Sequence, residues 1–247
     1  MKTITLMLAI IGITFAGWSQ SPGTIMKSID DVEIVPAQFM GISYSPVVKQ
    51  ENDLLTDYLC KRIEYPEEAI KYHIQGTEVV KFTVSETGDI SNIKVVNSVY
   101  PEIDQEFIRA LKSTSGMWKP AKKGGSNHEC SKEVSLTFSL KGTQKNTQEY
   151  FTNHASVYFK KACKQLFLDH KLSKAECNLS RALNYTPYDG NILYLRGICR
   201  YEKGNIEGAM KDWERYIDIT GLTVAPQELV LNMEGFKGVV AFANLNK

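Results

Sequence analysis

The chain has 247 residues, a length that is comfortable for two small domains. Hydrophobic residues make up 43% of the chain and charged residues 23%, a composition that predicts packed globular domains and excludes a disordered tail. The 29 Lys and Arg residues nearly balance the 28 Asp and Glu residues, and no basic block occurs, which excludes a nucleic-acid-binding protein.

The first twenty residues have the composition of a secretory signal. Lys2 precedes a mostly apolar run from Ile4 to Trp18, which is shorter than the roughly 20 apolar residues that span a bilayer. Gly17 and Ser19 have the small-x-small spacing that a signal peptidase accepts. We therefore predict a signal peptide over this segment and a periplasmic location. The alternative is an uncleaved anchor in the inner membrane.

The next part of the chain predicts a small unit of helices and strands. Apolar residues recur at helical spacing over residues 53–63, and Pro66 followed by two acidic residues indicates the start of a second helix, which Gly76 ends. Strict alternation over 80–84, a turn and a second apolar stretch over 90–95 predict a β-hairpin. An amphipathic helix is expected over 101–113.

The cleanest predicted strand follows a Gly-Gly loop. Its apolar residues should face the core and its polar residues should face outward. As the last strand of the unit it is expected at a sheet edge, where unpaired N–H and C=O groups can accept a peptide as an added strand. The alternative is an edge that is capped or self-paired. The candidate site comprises Glu133, Val134, Ser135, Leu136, Thr137, Phe138, Ser139 and Leu140.

Seven positions in this segment, taken in order, resemble the C-terminal domain of TonB proteins. They are Tyr65, Pro66, Gly76, Gly88, Trp118, Lys119 and Pro120. The resemblance covers residues 31–141. It implies a periplasmic domain that grips the TonB box of an outer-membrane receptor with the last strand of its sheet. It further implies that a proton-driven motor in the inner membrane pulls on the receptor plug, so that nutrients are transported across the outer membrane.

The last hundred residues repeat with a period of 34 residues, which resembles the tetratricopeptide family of helical repeats. Helices are predicted over 148–168, 173–183, 190–202 and 206–219, and the segment 226–246 is expected to add a capping helix. Small residues at repeat positions allow close helix approach, and bulky ones fill the space between helices. The candidate packing residues are Ala175, Leu179, Ala182, Pro187, Gly197, Gly204, Ala209 and Trp213.

The motifs of catalytic and metal sites are missing from the sequence. His128-Glu129-Cys130 is the one local cluster with ligand-type side chains, and it reads as a surface loop because it has too few ligands for zinc. No nucleophile with an oriented base can be assembled, so we expect no enzymatic activity, cofactor or metal. The five cysteines leave at least one unpaired thiol, and a Cys60–Cys130 disulfide stays open.

The predicted fold class is α+β: a small TonB-like sheet with helices on one face, followed by an all-α repeat domain over 148–247. Two functions are expected from this organisation. In the first, the protein is a TonB-like energy transducer that binds a receptor peptide by strand addition. In the second, it is a periplasmic scaffold that binds another protein through its repeats, without energy coupling. The repeats could serve instead as a homodimer contact.

Overall fold

The computed structural model describes residues 34–41, 51–140, 147–230 and 233–245. These residues form two compact units, one within 34–140 and the other within 147–245. The predicted signal peptide and the predicted linker after Leu140 lie outside the described residues. Within those residues, no helix has the length and apolar character needed to span a membrane.

The described part of the first unit contains three helices, three strands of eight or nine residues and five strands of two or three residues. The elements are β1 (Ile34–Val35), β2 (Gln38–Phe39), α1 (Glu51–Cys60), α2 (Glu67–Lys71), β3 (Gly76–Val84), β4 (Ile90–Asn97), α3 (Pro101–Lys112), β5 (Trp118–Lys119), β6 (Ala121–Lys123), β7 (Ser126–His128) and β8 (Cys130–Phe138).

The main sheet has three antiparallel strands in the order β4-β3-β8. Its alternating apolar residues, such as Phe82 of β3 and Phe138 of β8, turn one face toward the helices. Helix α3 presents Ile103, Phe107 and Leu111 at intervals of four, and all three are fully buried. The core of this unit therefore lies between one sheet face and the helices, as the alternation and the helical spacing predict.

Two small sheets complete the unit. Strand β1 pairs with β6, which continues into a hairpin with β7, while β2 pairs with β5. The β2–β5 pair places Phe39 opposite Trp118, whose ring also contacts Phe82 at 5.4 Å between centroids. The short extended segment that follows α3 is thereby fixed to the core by one large aromatic side chain.

The predicted role of Gly76 as the end of the second helix is wrong. Helix α2 ends at Lys71, and His73, with φ of 54°, makes the left-handed turn that redirects the chain. Gly76 instead begins β3 and lies opposite Phe138 of β8. The left-handed turn at His73 ends the helix after one turn and a half, and the N–H of Ile74 then bonds to the carbonyl of Ala69 at 2.8 Å.

The second unit is entirely helical. Its elements are α4 (Thr147–Cys163), a π-helical turn (Lys164–Leu168), α5 (Leu172–Tyr185), α6 (Gly190–Glu202), α7 (Ile206–Thr220), α8 (Gln227–Val230) and α9 (Lys237–Asn244). Asp189 caps α6 by accepting from the N–H of Ile192 at 3.2 Å, and Asn205 caps α7 by accepting from Gly208 at 3.0 Å. These polar caps explain why both helices begin where the sequence predicts.

The helical core is built from aromatic side chains contributed by α6, α7 and α9. The Phe242 ring of α9 is fully buried and lies 5.1 Å from that of Tyr194 and 5.6 Å from that of Trp213, between centroids. Helix α9 thus covers the end of the α6–α7 pair, where a capping helix is expected. The α+β fold class predicted from the sequence is confirmed.

Candidate peptide-binding edge

Strand β8 forms one edge of the main sheet. It pairs with β3 without a register break, from Gly76 opposite Phe138 to Val84 opposite Cys130. The sheet order places no other strand of the described ranges beside it. Strand β4, at the opposite edge, has two register shifts and a left-handed residue, Asn92 with φ of 49°. Of the two edges, β8 is therefore the regular one, with the geometry that an added strand requires.

Exposure changes along β8 and divides the predicted site in two. Residues 130–135 are exposed or half-buried except for Val134, which faces the core. The following four residues are buried: Leu136, Thr137, Phe138 and Ser139 are at most 4% exposed. The alternation of the strand is as predicted, but the polar residues Thr137 and Ser139 are not exposed on its outer face. The accessible part of the edge is the first half of β8.

Two polar contacts hold the second half of β8 and the residues just after it. Thr137 shares a hydrogen bond with Thr77 of β3 at 3.1 Å between hydroxyl oxygens. The backbone N–H of Leu140 donates to the side-chain oxygen of Gln75 at 3.0 Å. Threonine pairs across strands stabilise a sheet by a few tenths of a kcal/mol up to about 1 kcal/mol. This end of the strand is a fixed support for the exposed half.

The seven motif positions are mostly structural. Tyr65 donates its hydroxyl hydrogen to the carbonyl of Ile74, and its ring packs against Phe138 of β8. Gly88 has φ of 86°, and a Cβ there would lie 2.2 Å from the carbonyl oxygen of Trp118. The Trp118 indole N–H donates to the Thr114 hydroxyl at 3.1 Å. These positions fix the hairpin, α3 and the last strand relative to one another.

The remaining motif residues lie close to the same framework. Pro66 immediately precedes α2, and its carbonyl accepts from the N–H of Ile70 at 3.0 Å. Lys119 is exposed on β5 opposite Gln38, and Pro120 is half-buried. Trp118 and Lys119 thus form the short strand β5, which the buried indole anchors to the core, and Pro120 leads into β6.

The main sheet contains a buried acid that the sequence pattern did not single out. Glu78 of β3 is fully buried, and one of its carboxyl oxygens accepts from the N–H of Val99 at 2.8 Å. Burial, together with the neighbouring carboxyl of Asp104, raises the pKa of Glu78 to about 9. The carboxyl is therefore protonated at neutral pH and can donate to Asp104, which also accepts from the Ser98 hydroxyl at 2.9 Å.

No clustered metal ligands are found in the described ranges. They hold no group of three or more His, Cys, Asp and Glu side chains that could bind a metal ion. All five cysteines lie in these ranges and are free thiols, so the Cys60–Cys130 disulfide is not formed. Burial raises the pKa of both Cys60 and Cys199 to about 12, which makes them poor nucleophiles.

Most of the predicted repeat positions are buried in the core of the helical unit. Ala175, Leu179, Ala182 and Ala209 are fully buried, Pro187 is buried and Trp213 has no exposed surface. Gly204, with φ of 84°, makes the turn between α6 and α7. At Gly197 the two helices approach so closely that a Cβ would lie 2.2 Å from the Trp213 indole nitrogen. Close packing therefore explains these small residues directly.

Comparison with known proteins supports a TonB-type domain in the first unit. Residues 61–140 match the family model described as Gram-negative bacterial TonB protein C-terminal. This segment is therefore similar to the C-terminal domain of TonB proteins. No curated protein matches the chain. The match begins directly after α1 and ends two residues after β8, so it includes all seven motif positions and the candidate edge.

Two solved structures are also similar to part of the chain. Both are NMR solution structures of the Helicobacter pylori TonB C-terminal domain. The one of residues 194–285 is 22% identical, with a TM-score of 0.31, and the match covers 38% of this chain and 98% of that one. The one of residues 179–285 has the same identity and TM-score, with 40% and 89% covered. The family match, rather than these two likenesses, supports the TonB-like assignment.

Proposed function

We propose that the protein is a periplasmic TonB-like protein that binds the TonB box of an outer-membrane receptor by strand addition. The family match over residues 61–140 supports the type of domain. The observation that carries the proposal is the position of β8 at a regular, unbroken edge of the sheet. The guest segment pairs with the accessible half, Cys130–Ser135, and the buried half holds that edge in place.

The binding energy of such a complex comes mainly from the backbone. Each added main-chain hydrogen bond contributes ~1 kcal/mol net. A short added strand makes only a few such bonds, so we expect an affinity no tighter than the micromolar range. Val134 points into the core, so the side chains of Glu133 and Ser135 on the outer face give the edge its selectivity.

Energy coupling and transport are part of the same proposal. If the first twenty residues remain as an inner-membrane anchor, a motor in that membrane can transmit force through the chain to the receptor plug. If they are cleaved, the protein is an adaptor that binds the receptor peptide without coupling. In either form we propose a binding protein without catalytic activity, as the sequence motifs lead us to expect.

Peptide titration tests the strand addition. A fluorescein-labelled TonB-box peptide is titrated with the full chain and followed by fluorescence anisotropy. The N–H of Leu140 points to the β3 side, so strand alternation leads us to expect the N–H of Ser135 at the open edge. Ser135→Pro removes that N–H and should weaken binding by about tenfold, equivalent to ~1.4 kcal/mol.

The matched control is Ser135→Ala, which removes the hydroxyl and keeps the N–H. It should bind like the parent chain. Circular dichroism checks that the proline variant is folded, and a TonB-box peptide methylated on its backbone nitrogens gives the same test from the ligand side. Equal binding by the proline variant, or by the methylated peptide, would contradict strand addition.

We propose a second function for the helical unit, a tetratricopeptide-like scaffold that binds a periplasmic protein. The close approach of α6 and α7 at Gly197 and the buried repeat positions support a repeat architecture. Deleting residues 148–247 and repeating a partner pull-down separates this function from binding at β8. A chain that still captures the partner after this deletion would contradict the scaffold. A dimer contact through the same helices would show as a change of mass in solution.

A further inference from the structure

A basic groove runs between α4 with its π-helical turn and α5 in the helical unit. Its volume is about 370 Å³. The residues that line it project from both elements and include three cationic side chains and no acidic one. They are Lys161, Gln165, Lys174, Cys177, Asn178 and Arg181.

The three cations of the basic groove have no acidic partner among the described residues. Lys161, Lys174 and Arg181 are all exposed, and none forms an ion pair there. The cations on α6 behave differently: Arg196 pairs with Asp212 at 2.7 Å and Arg200 with Glu176 at 3.0 Å. Three cations without an acidic partner therefore line one concavity between two elements, and a concave surface focuses the electrostatic potential.

Two side chains of the basic groove are held in place before any ligand binds. The Arg181 guanidinium lies 5.9 Å from the centroid of the Tyr158 ring. Asn178 is 5% exposed, and its amide nitrogen donates to Gln165 at 2.7 Å and to the carbonyl of Lys174 at 3.0 Å. Since a backbone carbonyl can only accept, the orientation of this amide is fixed, and its oxygen has no hydrogen-bond partner.

The basic groove lies on the side of α5 that faces away from α6. Glu176 and Ser180 of α5 bond to Arg200 and Arg196 of α6. Lys174 and Arg181 are about 140–160° away from Glu176 around a helix with 100° per residue. Helix α6 packs on the other side of α5 and therefore does not cover the groove.

We infer that the basic groove binds an acidic peptide segment, whose carboxylates pair with Lys161, Lys174 and Arg181. The aliphatic stems of the three cations provide apolar contact for the side chains between the carboxylates. A peptide can lie inside a groove and reach all the cations that line it. A lipid bilayer is flat and contacts only cations that protrude from the protein surface, so a groove favours a peptide. The inference rests on the proposed scaffold function and names the surface and the chemistry that this function uses.

Binding of an acidic probe to the full chain tests this inference. The probe is a fluorescein-labelled peptide of Glu-Ala repeats, and the comparison peptide has Gln in place of every Glu. The double variant Lys174→Gln with Arg181→Gln should weaken binding of the acidic peptide by about tenfold or more. The Gln peptide should not bind, and added salt should weaken the complex because exposed charges are screened.

The matched control is Lys160→Gln combined with Lys237→Gln. Lys160 neighbours a groove residue on α4 but does not line the groove, and Lys237 lies on α9. Both pairs of substitutions remove two positive charges from exposed sites, so the control should bind like the parent chain. Equal losses in the two double variants would show general charge attraction and overturn the inference.

Two further measurements test for membrane binding and for unfolding of the variants. Phosphatidylglycerol vesicles are tested in the same way, and binding to vesicles in place of the acidic peptide would overturn a peptide groove. A thermal melt shows whether the variants are folded. If the groove variants lose the acidic peptide but the helical unit still captures a protein partner, the scaffold function stands and the groove is not its binding surface, which also overturns the inference.

Discussion

Glu78 is a buried acid whose protonation makes the stability of the first unit depend on pH. The unfolded chain ionises this carboxyl near its ordinary pKa, whereas burial raises the pKa in the folded protein to about 9. Between these two values the folded state holds a proton that the unfolded state has lost. The free energy of unfolding should therefore fall as pH rises from about 5 to about 9, with a slope of at most ~1.4 kcal/mol per pH unit.

Glu78→Gln tests this coupling. A glutamine can accept from the Val99 N–H through its side-chain oxygen and turn its amide N–H toward Asp104, without being ionisable. We expect urea unfolding at pH 5 and pH 8 to show a smaller loss of stability in the variant, which should be the more stable protein at pH 8. The same pH dependence in both proteins would show that Glu78 does not carry the effect.

Gly197 allows α6 and α7 to pack against each other. A Cβ at this position would lie 2.2 Å from the Trp213 indole nitrogen, whose N–H donates to the carbonyl of Tyr194 at 3.3 Å. Gly197→Ala should lower the free energy of unfolding of the helical unit by about 1–3 kcal/mol, although alanine is the better helix former. Asn191→Ala, at an exposed position of the same helix, is the control in thermal melts. A stabilised Gly197→Ala variant would contradict the close approach.

Three helices of the second unit are joined by one ion-pair network. Asp212 of α7 is 3% exposed and accepts from Arg196 at 2.7 Å and from Arg200 at 2.9 Å, both on α6. Arg200 also pairs with Glu176 of α5, which Lys203 contacts as well. These partners satisfy the charges of a group that would otherwise be costly to bury.

Removing the centre of this network should destabilise the helical unit. Asp212→Ala leaves two guanidinium groups without their main partner, and we expect a loss of about 3–5 kcal/mol in chemical unfolding. Glu207→Ala breaks an exposed pair with Lys211 on the same helix and should change the stability by less than about 1 kcal/mol. Similar losses of stability in the two variants would show that the buried network stabilises the unit no more than an exposed ion pair does.

Periodicity predicted the elements of both units well, because strands and helices with one buried face repeat at periods of 2 and 3.6 residues. The helix over Gly190–Glu202 begins and ends as predicted, since Asp189 caps its start and Gly204 turns the chain just after its end. The last strand was predicted to start at Glu133, whereas β8 starts at Cys130. Pairing with β3 extends it over a polar stretch that has no alternation to reveal it.

Features that depend on distant parts of the chain could not be predicted from the pattern. Thr137 and Ser139 alternate like outward residues, but burial of the second half of β8 is decided by what packs there and not by their own spacing. Glu78 and Asp104 come together across 26 positions, and Phe242 fills a core that the other helices build. The charge network was missed for the same reason, although its Arg and Asp residues at helical spacing on neighbouring helices were a usable signal.

At the scale of the whole molecule, the chain combines a unit that is similar to TonB C-terminal domains over residues 61–140 with a helical unit that has its own core. The proposed location of both depends on the first twenty residues. N-terminal sequencing of the exported protein should give a mature start near Gln20 or Ser21, the form expected of an adaptor. An intact Met1 would contradict cleavage and would favour the anchored, energy-coupled form.

Hydrogen exchange of the full chain with and without a TonB-box peptide is the most direct test of binding at β8. An added strand covers the open side of the accessible half with hydrogen bonds, so amides within Cys130–Ser135 should exchange more slowly in the complex. The amides of β4 and of the helical unit should be unchanged. Protection confined to β4 or to the helices, or no protection at a saturating peptide concentration, would contradict the proposed site.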